Sequence, residues 1–407
     1  MNLREKPWKT ENWFTSPWNF SEEVMSNYNF SDNIQVHDVT LRDGEQQAGI
    51  VFTKNEKVRI AKKLAQIGVH RIEAGMPAVS KDDREALESI AHANLGDAKI
   101  FSFARCMKED VKIAHECGAD GIVIEIPASK HIIENAYNWS LEKAVELSIE
   151  ATSFAKEKGL YTVFFPIDGS RAEFDWFIDL IKTVSSEGHM DSLALVDTLG
   201  GLNPHSIPYL INKIKSNINK PLEVHFHDDF GIGAANSIIA LASGVDVVHT
   251  TITGLGERAG NAPFEDVILS LLTMYNKDLN IDVSKLKELS LLVQKLSGIN
   301  IRPNRPIVGE NIFDVESGIV TSWVLNCGKE NMLEYSPISP ELVGQKKTDI
   351  VFGKHNGLAN IKRVLDLLDI ELNEEKQMKL LKIIKKNAIK KKRLLKIDEI
   401  EDYANNL

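Results

Sequence analysis

From residue 34 onward the chain keeps one rhythm: a short apolar run rich in β-branched and aromatic residues, a polar or glycine-bearing loop, then a longer stretch with apolar residues at three- and four-residue spacing. Alternation with period two marks a strand, and a period near 3.6 marks an amphipathic helix. The strand runs are IQVHDVT (34–40), RIEAG (71–75), KIFSFA (99–104), GIVIEI (121–126), YTVFFP (161–166), SLALVD (192–197), LEVHFH (222–227) and VDVVHTT (245–251). Helical segments between them include 54–67, 140–158, 204–217 and 234–243, and a last one at 263–275 closes the series. Eight strands alternating with helices predict an α/β fold, a (β/α)8 TIM barrel, at the usual size of about 250 residues. A doubly wound sheet is the alternative, disfavoured because no strand leads into a G-x-G-x-x-G turn.

After residue 275 the rhythm stops. Residues 276–300 read as one helix, 301–360 as irregular chain rich in Pro and Gly, and 361–403 as helix again. The expected organisation is an N-terminal arm (1–33), a catalytic barrel (34–275) and a C-terminal, mostly helical region (276–407). Trp8, Trp13 and Trp18 would pack the arm on the body or on a neighbouring subunit. The run KLLKIIKKNAIKKKRLLKIDEI sets Leu and Ile at helical spacing, which predicts an amphipathic helix with a solvated basic face. The 301–360 stretch is a place for a subunit to reach its neighbour, so a homodimer or higher homo-oligomer is expected.

Composition narrows the function classes. With 407 residues, 43% hydrophobic and 26% charged, the chain can bury a large core, and its net charge of −10 disfavours nucleic acid as a partner. Cys106, Cys117 and Cys327 are far apart with no C-x-x-C pair, which points to a reducing, cytoplasmic compartment. The N-terminus lacks the apolar core of a secretory signal, and no membrane partner is expected.

The chemistry concentrates at predicted strand ends, where such barrels carry their reactive groups. Arg42 and Asp43 follow the first strand in HDVTLRDGEQQAGI. In LEVHFHDD, Glu223, His225 and His227 share parity and point the same way. The loop TGLGERAGNAP after the eighth strand supplies Asn261. Closure makes strands seven, eight and one neighbours, so Asp43, His225, His227 and Asn261 form an arc suited to a divalent ion: Mg²⁺, Mn²⁺, Co²⁺ or Zn²⁺. An ion held there can chelate a 2-oxo acid, with the Arg42 guanidinium adding charge where an alkoxide develops. Read alone, RDG is a capped turn with a surface ion pair, a reading that leaves the histidines unexplained.

The motifs TLRDGEQ, EVHFHDDFGIGAAN, GLGERAGNAP, SPELVG and GKHNG together resemble the metal-dependent (β/α)8 condensing enzymes and lyases with a pyruvate carboxyltransferase-like domain. That group includes isopropylmalate, homocitrate, citramalate and Re-type citrate synthases and 3-hydroxy-3-methylglutaryl-CoA lyase. The resemblance implies Asp43, His225, His227 and Asn261 as metal ligands, Arg42 and Gln46 facing the 2-oxo acid, Thr198 on its carboxylate and Arg171 lining the pocket. The loop GLGERAGNAP lacks the cysteine of the lyase branch, so the chain resembles a synthase: acetyl-CoA as co-substrate loses a methyl proton, its enolate attacks the ketone, and the thioester is hydrolysed. Glu223 is similar to the homocitrate pattern, which favours oxaloacetate or 2-oxoglutarate and a citrate- or homocitrate-like product. Isopropylmalate or citramalate synthesis is the alternative.

One departure bears on catalysis. Where relatives carry histidines in H-E-S-G-I-H, residues 315–320 read VESGIV, with Val315 and Val320 at both histidine positions. General acid–base help is worth roughly 10²–10⁴ in rate. Tyr335, His355 and Glu223 are the candidates to supply it; His355 is equally well a loop histidine beside a helix start. Lys130 and His131 follow strand four and would hold a distal carboxylate, or else belong to a solvated loop. Val320 also leaves room for an aldolase or lyase on the same scaffold; a silent subunit partnering an active paralogue is a third reading, against which the intact ligand set argues. The chain stops where leucine-regulated relatives continue, so no feedback through such a domain is expected.

Overall fold

The computed structural model describes residues 6–346 and 348–407, in two compact units. One is Trp18–Ile301; the other combines the described part of Met1–Pro17 with Arg302–Leu407.

The first unit is a closed barrel of eight parallel strands in sequence order: β1 (Gln35–Asp38), β2 (Arg71–Glu73), β3 (Lys99–Arg105), β4 (Gly121–Pro127), β5 (Tyr161–Ile167), β6 (Ser192–Asp197), β7 (Leu222–Phe226) and β8 (Val247–Thr250). β8 pairs back on β1, with His37 beside His249. β6 and β7 are buried at every position, as expected of parallel strands covered on one face by helices and filling the barrel with the other. Eight helices alternate with them: α1 (Lys54–Gln66), α2 (Lys81–Ala91), α3 (Lys108–Glu116), α4 (Leu141–Glu157), α5 (Phe174–Glu187), α6 (Ser206–Lys215), α7 (Gly233–Ala242) and α8 (Phe264–Tyr275). Several begin where the sequence supplies a side-chain cap. Thr53 and Glu56 form a capping box on α1, and the Ser80 and Ser140 hydroxyls accept from the Asp83 and Lys143 amides.

The barrel interior is divided by polarity. On β3 to β6 it is mainly apolar, filled by Phe101, Phe103, Val123, Val163, Phe165, Ala194 and Val196, with Glu125 on β4 and Ser192 on β6 as polar exceptions. On β7, β8, β1 and β2 it is polar: Glu223, His225, His249, His37 and Glu73 are all buried. No helix among the described residues is long and apolar enough to cross a membrane.

The second unit has its own core, built from residues such as Ile350, Phe352, Ile361, Leu380, Ile384 and Ile400. A two-stranded parallel sheet pairs β9 (Asp314–Val315) with β10 (Asp349–Ile350). Trp13 is buried in this unit: its indole donates to the Pro7 carbonyl at 2.9 Å, and its backbone bridges Ile338.

Beyond the barrel, three expectations need correction. Residues 276–300 are not one helix. Asn276 turns left-handed, Asp278 and Asp282 side chains accept from the Asn280 and Ser284 amides, and only α9 (Leu286–Ser297) is α-helical. The irregular stretch contains α10 (Gly318–Cys327), in which only Thr321 is buried, so it lacks a periodic apolar face. The final helical region is three helices, α11 (Leu358–Leu368), α12 (Glu374–Lys391) and α13 (Ile397–Asn405), broken at Asp369 and Lys392 in left-handed conformation. α12 buries Leu380, Leu381, Ile384 and Ala388 and turns its lysines outward, as its spacing predicts.

Candidate active site

Asp43 sits just past β1, at the start of a 3-10 turn, Gly44–Gln46, and is almost fully buried. Its Oδ1 accepts from the Asn261 amide at 2.9 Å; its Oδ2 accepts from Arg42 Nη1 at 2.8 Å and lies 3.4 and 3.9 Å from the Nε2 atoms of His225 and His227. Those two nitrogens are 3.3 Å apart. His227 Nδ1 lies 3.1 Å from the Gly260 carbonyl, so it carries the proton and leaves Nε2 bare. Burial lowers the pKa of His227, and that of His225 to about 3, so both rings are neutral. Burial also opposes the charge on Asp43, but Arg42 and the His225 hydrogen bond outweigh it and hold the carboxyl well below its ordinary range.

These groups fit a divalent ion. Ligands bound at about 2.1 Å stand roughly 3–3.5 Å from one another, near the observed separations. Asn261 spends its amide protons on Asp43 and the Leu255 carbonyl, which leaves Oδ1 buried and without a hydrogen bond among the described residues. The glycine-rich loop makes room. A Cβ on Gly256, at φ +152, would lie 2.2 Å from the Asn261 amide and 2.9 Å from Asp43 Oδ1.

Arg42 is the hub beside this arc. Nε donates to Glu73, Nη1 to Asp43 and, at 3.1 Å, to Gln46, while the guanidinium stacks 3.9 Å from the Phe103 ring. Nη2 is buried and makes no hydrogen bond among the described residues. Burial alone would raise the Glu73 pKa, but Arg42 lowers it to about 2.

Glu223 shares the inward parity of the histidines but is committed elsewhere. Its carboxylate accepts from Arg71 at 2.7 Å and Ser192 at 2.6 Å, and meets His249 Nε2 at 2.8 Å. His249 stacks on His37 at 4.4 Å, whose Nε2 lies 3.3 Å from Glu73 Oε2. His37, Glu223 and His249 could also surround a cation, although Glu223 already pairs with Arg71 at 2.7 Å. A fully buried carboxylate that already meets three partners, Arg71 among them, is held ionised and in place, which makes it a poor candidate for the acid–base part expected of it.

A second cluster gathers other sequence candidates around a residue the sequence reading passed over. Asp168, buried and left-handed at φ 59 just past β5, accepts from Ser129, and from Arg171 at 2.6 and 3.0 Å, and lies 3.1 Å from His131 Nε2. Its amide donates to the Thr198 hydroxyl at 2.8 Å. The signal was the polar DGSR that breaks YTVFFP. Lys130 instead pairs with Glu173 at 2.8 Å on the exposed side. Tyr335 and His355 belong to the second unit. Tyr335 lines a cavity of about 310 Å³ with Glu341, Asp349 and Arg363. The His355 ring is exposed, and its amide and carbonyl bind Glu316 and the Gly318 amide.

Comparison with known proteins places this architecture. A model of the HMGL-like family matches residues 33–293, more than half of the chain. The chain belongs to the HMGL-like family. A second model, homocitrate synthase post-HMGL domain-like, matches residues 307–392. Among HMGL-like relatives, a 2-isopropylmalate synthase of Methanocaldococcus jannaschii is 40% identical over 393 residues, 95% of this chain and 74% of that protein. Homocitrate synthase AksA of Methanopyrus kandleri is 37% identical over 389 residues, 95% of this chain and 96% of that protein. The HMG-CoA lyase structure from Brucella melitensis superposes with a TM-score of 0.58 at 20% identity, covering 66% of this chain and all of that one, which establishes the shared HMGL-like fold.

Proposed function

We infer that this protein is a divalent-metal-dependent acyltransferase that condenses acetyl-CoA with a 2-oxo acid to give a 2-hydroxy di- or tricarboxylate. The observation that carries the reading is the convergence of Asp43, His225, His227 and the open Asn261 Oδ1 in the barrel mouth of an HMGL-like chain whose relatives are named synthases. These four residues would hold the ion, which supplies the charge that polarises the ketone when bound. The unspent Nη2 of Arg42 is the donor for developing negative charge on the substrate. Thr198 accepts the Asp168 amide and so keeps its own proton for a carboxylate, while Gln46 accepts from Arg42 and keeps its amide protons. Arg171, held by Asp168, and His131 orient the rim, with Lys130 outside them.

For the 2-oxo acid, two readings each have support. The homocitrate-type domain over 307–392 favours a diacid such as oxaloacetate or 2-oxoglutarate. The apolar interior wall of Phe103, Phe165 and Val196 favours an apolar 2-oxo acid, as in isopropylmalate or citramalate synthesis. Thiol release from acetyl-CoA across pyruvate, 2-oxoisovalerate, oxaloacetate and 2-oxoglutarate, with and without chelator, tests both. Metal-dependent release with at least one acid is expected. Release with none of them in the presence of Mn²⁺ would overturn the assignment.

A further inference from the structure

We propose that Glu125 on β4 is the general base that takes the methyl proton of the acyl thioester. The proposal rests on the condensing reading above and fills the role left vacant by Val320 and by the committed carboxylate of Glu223.

Strand register places Glu125 in the barrel interior. Val123 lies opposite Phe103 on β3 and Val163 on β5, and all three belong to the apolar interior cluster. Two residues on, Glu125 has the same parity and points the same way, one step nearer the mouth. Its partner across β5 is Phe165, whose ring packs on the His225 ring with centroids 5.1 Å apart. Glu125 therefore enters from the apolar wall, next to the ring that packs on His225.

Its carboxylate is unlike those around it. Asp43, Glu73 and Glu223 are each bound by charged or amide donors. Among the described residues, Glu125 makes no side-chain hydrogen bond and no ion pair, although it is partly buried. A carboxylate retained for structure in such a place is satisfied by donors; one on the interior face of a barrel strand without them is available to a substrate. Burial pushes its pKa up, Arg42 and Arg105 pull it down, and Asp110 and Glu257 push it up again. The Tyr137 phenol and the Cys106 thiol also feel its charge. A raised carboxyl poised closer to neutrality is what proton abstraction near pH 7 requires.

The step balances without a further reagent. The methyl C–H of acetyl-CoA breaks, its proton passing to Glu125 and its electron pair to the thioester enolate. The enolate carbon bonds to C2 of the 2-oxo acid, whose carbonyl π pair becomes an alkoxide. Water supplies the proton the alkoxide takes and the oxygen the thioester takes, CoA leaves as the thiol, and Glu125 returns its proton to solvent.

The test compares full-length wild type with Glu125→Gln and Glu125→Asp. The readouts are thiol release, KM for both substrates, the pH dependence of kcat, melting temperature and Mn²⁺ binding by calorimetry. Glu125→Gln is expected to lose about 10²–10⁴ in kcat, with Mn²⁺ affinity, both KM values and melting temperature near wild type. It should also lose the acidic limb of the kcat profile, and Glu125→Asp should recover part of the rate. Wild-type kcat in Glu125→Gln, or a defect confined to the KM of the 2-oxo acid, would overturn the proposal while leaving the condensing reading intact. Silence of the wild type with every 2-oxo acid would overturn both.

Discussion

Replacing Arg42 by lysine keeps the charge and removes the fork. In the structure the guanidinium serves Glu73, Asp43 and Gln46 at once and lies 3.9 Å from the Phe103 ring. A single ammonium can keep one of these bonds in that geometry. Two lost bonds to a charged donor cost about 1.5–3 kcal/mol each, and the lost stacking about 1 kcal/mol. A total of roughly 4–7 kcal/mol, set against an unfolding entropy of about 0.6 kcal/mol/K for a unit the size of Trp18–Ile301, corresponds to a melting temperature lower by at least about 7 °C. The loss has a pH signature. Glu73 has its pKa depressed to about 2 from an ordinary 4.5, so its contribution is present above pH 4.5 and fades as pH falls toward 2. Because Arg42 is the main cause of that depression, the gap in stability between Arg42→Lys and wild type should narrow below about pH 4.5. Calorimetric melts from pH 3 to 7 measure this, and thiol release should fall about 10²–10³ fold with the missing donor. A lysine variant melting within about 2 °C of wild type at pH 7 would refute the hub described for Arg42.

Gly256→Ala should weaken Mn²⁺ binding at least about tenfold by displacing Asn261 and Asp43, whereas Gly201→Ala, with nothing within 4 Å of its added Cβ, should bind normally; calorimetry compares them. Saturating Mn²⁺ should stabilise the wild type by about 2.7 kcal/mol at a hundredfold excess over Kd, and Asp43→Asn should abolish the shift in a thermal melt. Burial and the nearby His249 lower the pKa of His37 to about 4 from 6.5, so folding excludes a proton that the unfolded chain binds. Stability of the metal-free protein should therefore fall from pH 6.5 to 4, by about 3 kcal/mol for this group. His37→Gln should remove that part of the slope in urea titrations at successive pH values.

What the amino-acid order determined is what local periodicity can encode. Alternation places Glu223, His225 and His227 on one face, and glycine spacing marks the loop that brings in Asn261. Eight apolar runs separated by amphipathic helices specify a barrel, so the neighbourhood of Asp43 and the two histidines follows from closure alone. Past residue 275 the periodic signal weakens, because short helices bounded by left-handed Asn276, Asp369 and Lys392 take their ends from turn conformations rather than from a face. The partners of side chains were decided only by the tertiary structure. Arg42 meets Glu73 and Glu223 meets Arg71 because barrel register sets residues from different strands at the same height. The same register commits Glu223 to Arg71, Ser192 and His249, makes Asp168 the centre of the rim cluster, and leaves Glu125 partly buried without a donor among the described residues. Parity gives the direction of a side chain; whether that direction ends on a cation, a ring or open space depends on contacts distant in sequence, which no local pattern records.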